Sequence, residues 1–592
     1  MALTSVDDNV IGPKPPPKGE AQFMDNCLLD DPSQIVPHVH VARRDLKAPA
    51  SGIIPLIGFW ISEFRTRERA RSEIIAVADS GIDTGHHALR HHGAGLATAT
   101  RSYRTDNSIN DVTGHGTHVA VSLVGEGDST DFGTIKGVVP KAQLHFQVVW
   151  SIPPAVGSAQ ILIRPSAMLA TDPGAAGTTT TMLTVLDDAY NQGARIHSNS
   201  WGKGIRQRPG GAPGQMEQNF YTAYSADIDQ AMLNHRDLLV IFSAGNDGEV
   251  PTPNNRQIGS AAAAKNCITV GACETSHTTS FDSARSVDTT RGRVRLQYKF
   301  DSTQPIGNFN NVIGFSSVGP TRDDPGTVPP THPRIKPDVV APGTCIYSGK
   351  TSDPAFQFFP TIAAPANPNT TGFRRDERWM FRSGSSQAAP LVAGCCSRIR
   401  VHLRQRLGDF IPAALVKAIL VNGAEPINPA LVTASRGRAL APRPLPNGVA
   451  GFGRVNLVNS LLCIKDSTKG GFFPPQLTTS PPVNVMTAAG QTTPVRITIP
   501  KRGLTLKVTM CYTDPPCPMP GPPFNLVNVL NLYYTEPGGT RKYANTHTSI
   551  PDGMNNVQRI IVERINPGTY DFIVTCDTFV SNQEFFVAWT AS

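Results

Sequence analysis

The stretch IIAVADSGID, residues 74–83, is an apolar run that stops on an acid and turns at once on Ser-Gly. A run of that kind, β-branched and with no polar alternate, suits a strand buried on both faces. The stretch DVTGHGTHVAVSLVG (111–125) then reads as helical, and the alternation recurs along the chain. LLVIFSAG (238–245) and CITVGA (267–272) are strand-like, while SGSSQAAPLVAGCCSRIRVHLRQRL (383–407) is helical. Strands too continuous for one-sided burial, separated by helices, predict an α/β fold whose parallel sheet is covered by helices on both faces.

Working outward, this pattern predicts one unit over residues 56–465, preceded by a Pro-rich extended arm or leader remnant at 1–55. Two polar, turn-rich segments, about 280–310 and 351–377, read as surface insertions. After a linker, FFPPQLTTSPP (472–482), the period changes to two. VRITIP, LTLKVTMCYTD, RIIVERI, GTYDFIVTC and EFFVAWTA alternate without a convincing helix. Residues 478–592 are therefore expected to form an all-β sandwich.

Composition narrows the classes of function. The 592 residues include 52 Gly and 51 Pro, spread between apolar runs, which suits turns and argues against low-complexity disorder. The formal charge of +8 is mild for this surface. Its basic clusters (Arg65–Arg71 and Arg291–Arg295) lack interleaved stacking aromatics, so no nucleic-acid partner is expected. No run approaches the ~18 apolar residues of a membrane span, and no secretory signal pattern is visible at the N-terminus. Ten Cys do not make a disulfide scaffold. Cys395 and Cys396 read as buried thiols, and Cys511 and Cys517, flanking a Pro-rich turn, are spaced so that they could bridge.

Four motifs carry polar side chains where chemistry could occur. Asp79 ends the first strand, at the rim where parallel sheets hold their active sites, although Asp is also an ordinary turn starter. His115 sits between Gly114 and Gly116 as a helix begins. His118, three residues on, raises a metal pair, but no suitably spaced acid or Cys accompanies it. Asn246 lies in FSAGNDG, either a plain turn or a side-chain amide placed for an oxyanion. Ser386 opens the helix containing Pro390, either as an N-cap or as a hydroxyl beside the helix dipole. His87 and His91, four apart, could bind a metal if helical, but the stretch reads rather as a solvated loop after Asp79.

Taken together and in this order, the motifs resemble the subtilisin-like serine proteases, over about residues 70–460. SNSWG (198–202), AKNCITVGA (264–272), FSSVGPT (315–321), RIKPDVVAPGT (334–344) and GFGRVN (451–456) extend the likeness. IIAVADSGIDTG, ARIHSNSWG and the β-rich tail look like the oxidant-resistant alkaline subtilases, which carry a C-terminal jelly roll. The resemblance implies a serine endopeptidase: Ser386 as nucleophile, His115 as general base, Asp79 orienting the imidazole, Asn246 with the Ser386 N–H holding the oxyanion. Ser200, Trp201 and Gly202 would pair with an extended polypeptide substrate, and Ser243, Ala244 and Gly245 would form the opposite pocket wall. Small residues there leave room for a bulky apolar side chain, with Glu249 as the nearby acid.

Three departures accompany the resemblance. The usual Gly-Thr-Ser-Met is Gly384-Ser385-Ser386-Gln387, which replaces an oxidisable neighbour of the nucleophile. The acidic calcium pattern of the tail reads Leu526-Val527-Asn528-Val529-Leu530-Asn531-Leu532, two carboxylates short, although Asp552, Asn555 and Asn556 remain. No cofactor is expected to be required, and no metal ligand is assigned. The segment before Asp79 is short for a signal plus an inhibitory prodomain, and Arg43-Arg44 is a candidate processing point. The alternatives are a kexin-like processing protease cleaving after basic residues, which needs acids in the pocket, and an inactive subtilase fold used for binding.

Overall fold

The computed structural model describes residues 73–592 apart from 94–95, 97–98, 130–132, 152–159, 164–179, 203–220, 249–255, 275–309, 322–333, 345, 357–377, 428–431, 434–444, 478–481, 518–525, 537 and 546–547. The expected arm, both basic clusters, Arg43-Arg44, Glu249, most of each expected insertion and part of the linker lie outside the described residues.

The strands β1 (Ile74–Asp79), β2 (Thr100–Ser102), β3 (Gln143–Val148), β4 (Ile196–Asn199), β5 (Leu239–Ser243), β6 (Ile268–Cys273), β7 (Val312–Ile313), β8 (Val339–Pro342) and β9 (Val432–Thr433) form one sheet. Their order is β9-β7-β6-β5-β4-β1-β3-β2, with β8 also paired to β6. All pairs are parallel except β6 with β7. Every residue of β4, β5 and β6 is buried, as both-sided cover requires. The expected α/β class is therefore found.

Register decides what meets at the rim. Ala78 lies opposite Asn199, and Asn199 opposite Phe242. The next residues of three adjacent parallel strands, Asp79, Ser200 and Ser243, consequently stand in line at the C-terminal edge. The helices are α1 (His115–Val124), α2 (Met182–Asn191), α3 (Ala223–Asn234), α4 (Ser385–Leu407), α5 (Ala413–Gly423) and α6 (Leu457–Lys465). Helix α4 crosses β4, β5, β6 and β8 and packs on α1, so the start of each comes to the same rim.

The tail folds into two facing sheets, from β10 (Gly470–Phe473), β11 (Val485–Met486), β12 (Thr492–Ile499), β13 (Leu504–Tyr512), β14 (Val529–Thr535), β15 (Arg541–Tyr543), β16 (Val557–Ile565), β17 (Gly568–Thr578) and β18 (Gln583–Ala591). One sheet runs β10-β18-β13-β16 with β11 on β18, and the other β12-β17-β14-β15. Strands that mostly switch sheets along the chain give the jelly-roll arrangement. The sheet begins earlier than the sequence suggests, since β10 falls at the start of the expected linker and pairs with the last strand.

The sandwich is joined to the rest by a buried seam. Every residue of α5 is buried, and the helix packs on β13 and β18. Its C-terminal carbonyls, orphaned by helix geometry, receive cations from the sandwich. Arg559 donates to Val421 O (3.1 Å) and Lys507 to Ala424 O (3.2 Å). Close by, the fully buried Lys265 pairs with the fully buried Asp514. Asn266 and Asp514 exchange two bonds across the seam, Nδ2 to O at 2.8 Å and N to Oδ1 at 2.9 Å. Burial nevertheless holds the Asp514 carboxyl above its ordinary range, outweighing the Lys265 charge and the amide donors of Asn528 and Val527.

Such a pair adds little net stability, but removing one partner strands the other charge in a dry site. Lys265→Met is expected to destabilise the whole chain by about 3 kcal/mol. Urea unfolding followed by circular dichroism would measure this, and an unchanged midpoint would contradict the buried seam.

Candidate active site

The end of β1 and the start of α1 are tied by one short contact: His115 Nδ1 lies 2.6 Å from Asp79 Oδ1. Asp79 is fully buried, and the same oxygen accepts the Ser80 N–H at 2.8 Å. Gly116 explains how strand and helix come so close. A Cβ on it would stand 2.1 Å from Gly81 O and 3.2 Å from Asp79 Cβ.

Ser386 is the second residue of α4 rather than its N-cap, which is Gly384. Pro390, four residues on, has no N–H to give to the Ser386 carbonyl. The Ser200 hydroxyl takes that place, at 2.7 Å from Ser386 O. In return Ser386 Oγ donates to Ser200 O at 3.0 Å. Nucleophile candidate and strand-end segment thus hold each other reciprocally, with Ser386 only 8% exposed.

Asn246 follows β5 and is exposed. Its Oδ1 accepts the Ser385 N–H at 2.8 Å and lies 2.9 Å from the Ser385 hydroxyl, leaving the Nδ2 hydrogens for another acceptor. The Ser385 hydroxyl also bonds both ends of Gly245, its O at 3.0 Å and its N at 3.2 Å. One small side chain therefore fixes the turn and the amide together.

The pocket residues divide. Ser243 and Ala244 are buried at the end of β5, and Gly202 is exposed with open space around its α-carbon. The Trp201 ring is buried in the core, edge-on to Phe242 with centroids 5.4 Å apart. A large indole gains more from burial there than from lining water.

Two neighbours escaped the sequence reading. Trp150 follows β3, and its ring stands edge-on to His115 at 5.7 Å. The second is the start of the expected insertion at 351–377. Thr351 and Phe356 press on Gly114, and Ser352 donates to Asp83 Oδ2 from both N and Oγ at 2.7 Å. Turn composition alone made these residues look like surface.

The remaining expectations resolve as follows. His118 does not face His115's partner: its Nε2 meets Ile346 O at 3.1 Å, and burial holds the ring well below its ordinary range and hence neutral. His87 and His91 belong to a short 3-10 helix, with Nε2 atoms at Asp128 O and Pro140 O. Cys511 and Cys517 are free and buried, so the possible bridge is not formed. In the tail, Asn528 and Asn531 bond protein groups, at Gln583 Oε1 and Asp577 Oδ2, and Asp552 accepts from Asn545 and Asn555. Burial lifts the Asp552 carboxyl to about 7. Among the described residues no group of three or more His, Cys, Asp or Glu could hold a metal ion.

With acid, imidazole, hydroxyl and amide gathered at one rim, comparison with known proteins is informative. The model of the subtilase family matches residues 70–453. The chain belongs to the subtilase family. Among curated relatives, the Serine protease/ABC transporter B family protein tagD of Dictyostelium discoideum is 24% identical over 603 residues, covering 84% of this chain and 30% of that protein. The Subtilisin-like protease SBT3.8 of Arabidopsis thaliana is 32% identical over 117 residues, 20% of this chain and 11% of that protein. This subtilase thus spans under a third of the length of the relatives that match most of it. Among solved structures, fervidolysin from Fervidobacterium pennivorans, a keratinolytic enzyme related to subtilisin, is 18% identical. It covers 85% of this chain and 52% of its own, with a TM-score of 0.38.

Ser385→Ala would remove the hydroxyl's bonds to Gly245 and to the Asn246 carboxamide, leaving the carboxamide held by the backbone N–H of residue 385 alone. A hydrogen bond worth about 1.4 kcal/mol corresponds to a roughly tenfold loss of kcat with KM little changed. Peptide-hydrolysis kinetics would check it, and a loss confined to KM would contradict the assignment.

Proposed function

We propose that this subtilase is a serine endopeptidase, in which Ser386 attacks the peptide carbonyl and forms an acyl-enzyme. The observation that carries the reading is the 2.6 Å contact between His115 and Asp79 at the rim that also holds Ser386 and Asn246. Once Ser386 Oγ turns from Ser200 O, His115 takes its proton as general base and returns it to the leaving amine. Asp79 holds the imidazole in the tautomer with Nδ1 protonated and stabilises its charged form without taking the proton. Asn246 Nδ2 and the Ser386 N–H receive the oxyanion.

The polypeptide substrate lies extended along Ser200–Gly202, adding a strand at the sheet's edge. Ala244 and Gly245 leave space for a bulky apolar side chain before the cleaved bond. The IIAVADSGIDTG and ARIHSNSWG segments and the jelly-roll tail support membership of the oxidant-resistant alkaline group. No cofactor is needed for these steps. Calcium, if bound in the tail, would have to use Asp552 with its neighbouring amides.

Ser386→Ala should abolish hydrolysis of casein while leaving the circular dichroism spectrum unchanged. Loss of the Asn246 side chain should lower kcat by 10²–10³, the range that subtilisin itself sets. A peptide panel varied before the cleaved bond should favour Phe or Leu. A preference for Arg or Lys would favour the kexin-like alternative, and no cleavage of any substrate would favour the binding fold.

A further inference from the structure

Behind Asp79 lies a second carboxylate that the proposed mechanism does not use. Asp111 is 1% exposed, four residues before His115. Three groups donate to its carboxylate. Ser80 Oγ reaches Oδ1 at 2.8 Å, Thr113 Oγ1 reaches Oδ1 at 3.0 Å, and the Thr117 N–H reaches Oδ2 at 2.7 Å. Thr117 stands in the first turn of α1, so Asp111 supplies the anionic cap that Gly114 cannot.

Ser80 is the link between the two acids. Its N–H donates to Asp79 Oδ1, and its hydroxyl bonds Asp111. The same Oγ accepts the Gly116 N–H at 3.1 Å and lies 2.8 Å from Thr113 Oγ1, which in turn accepts the His115 N–H at 3.1 Å. The backbone on both sides of the imidazole is thereby tied to the residue that holds Asp79. Burial and the Asp79 charge push the Asp111 carboxyl up, and its Thr117 and Ser80 donors oppose this. The charged or titratable groups around this knot are Asp79 on β1, His115 and His118 on α1, and Arg382, which donates to Thr113 O. Of these His118 is held neutral by burial.

We propose that Asp111 is a positioning residue for the hydrolysis, fixing Asp79 and His115 through Ser80 and lending a second negative charge to the imidazolium that His115 becomes. This rests on the serine endopeptidase reading. The sign follows directly: a nearby negative charge favours protonated imidazole, so losing it makes the base titrate at lower pH. The same loss withdraws stabilisation from the transition state.

Asp111→Asn keeps an acceptor for Thr117, and the Ser80 and Thr113 hydroxyls can turn to accept from its amide. It should lower plateau kcat about tenfold, with KM little changed, and move the acid limb of the kcat/KM profile down by about half a pH unit. Ser80→Ala removes the tie but no charge, so it should lower kcat and leave the acid limb in place. Thermal melts of both variants check folding. Should Asp111→Asn fail to fold, a limb displaced in Ser80→Ala would itself overturn the proposal. An unmoved limb in folded Asp111→Asn would also overturn it, whatever the loss in kcat. Failure of the wild-type chain to hydrolyse casein would instead overturn the endopeptidase reading.

Discussion

The contact between His115 Nδ1 and Asp79 Oδ1 is the point on which the rest of the molecule converges. It joins the end of a central strand to the beginning of a helix, and both must be placed to a few tenths of an ångström for it to form. Parallel register supplies the first half, setting Asp79, Ser200 and Ser243 side by side. Close packing at Gly116 supplies the second. The reciprocal bonds between Ser200 and Ser386 then bring α4 to the same edge, using a carbonyl that Pro390 leaves free. Each tie uses backbone geometry, which is why small residues crowd the rim.

Much of this was legible in the chain. The uninterrupted apolar runs of β1, β5 and β6 announced a sheet covered on both faces, and the order of Asp, His, Asn and Ser marked the rim. The SNSWG motif reported a backbone segment, while burial decides where the large Trp201 ring goes. Trp150 and the segment 351–356 were missed for a related reason: contacts made across the fold leave no period in the sequence. Asp111 was equally silent. Its neighbour Ser80 is 31 residues away in the chain, and a short polar stretch before a helix reads as a loop.

The sandwich shows the same limit from the other side. Alternation gave β12, β13, β16, β17 and β18 but not β10, β11, β14 or β15; in β12 buried and exposed residues take turns. In β18, however, nearly every residue is buried, because one face meets the second sheet while the other meets α5. Phe586 and Ala588 belong to the same core as β1 and α4. The cations Lys507 and Arg559, unremarkable in sequence, close the C-terminal end of a helix in the other half. Packing of this kind makes the tail part of the body that carries the site.

The central claim is that Ser386, among all the hydroxyls of the chain, is made nucleophilic by His115 and Asp79. Treating the folded wild-type chain with a fluorophosphonate and mapping the adduct by peptide mass spectrometry tests it most directly. The account predicts one adduct, on Ser386, suppressed in His115→Ala. Absence of labelling, or an adduct on another serine, would contradict it.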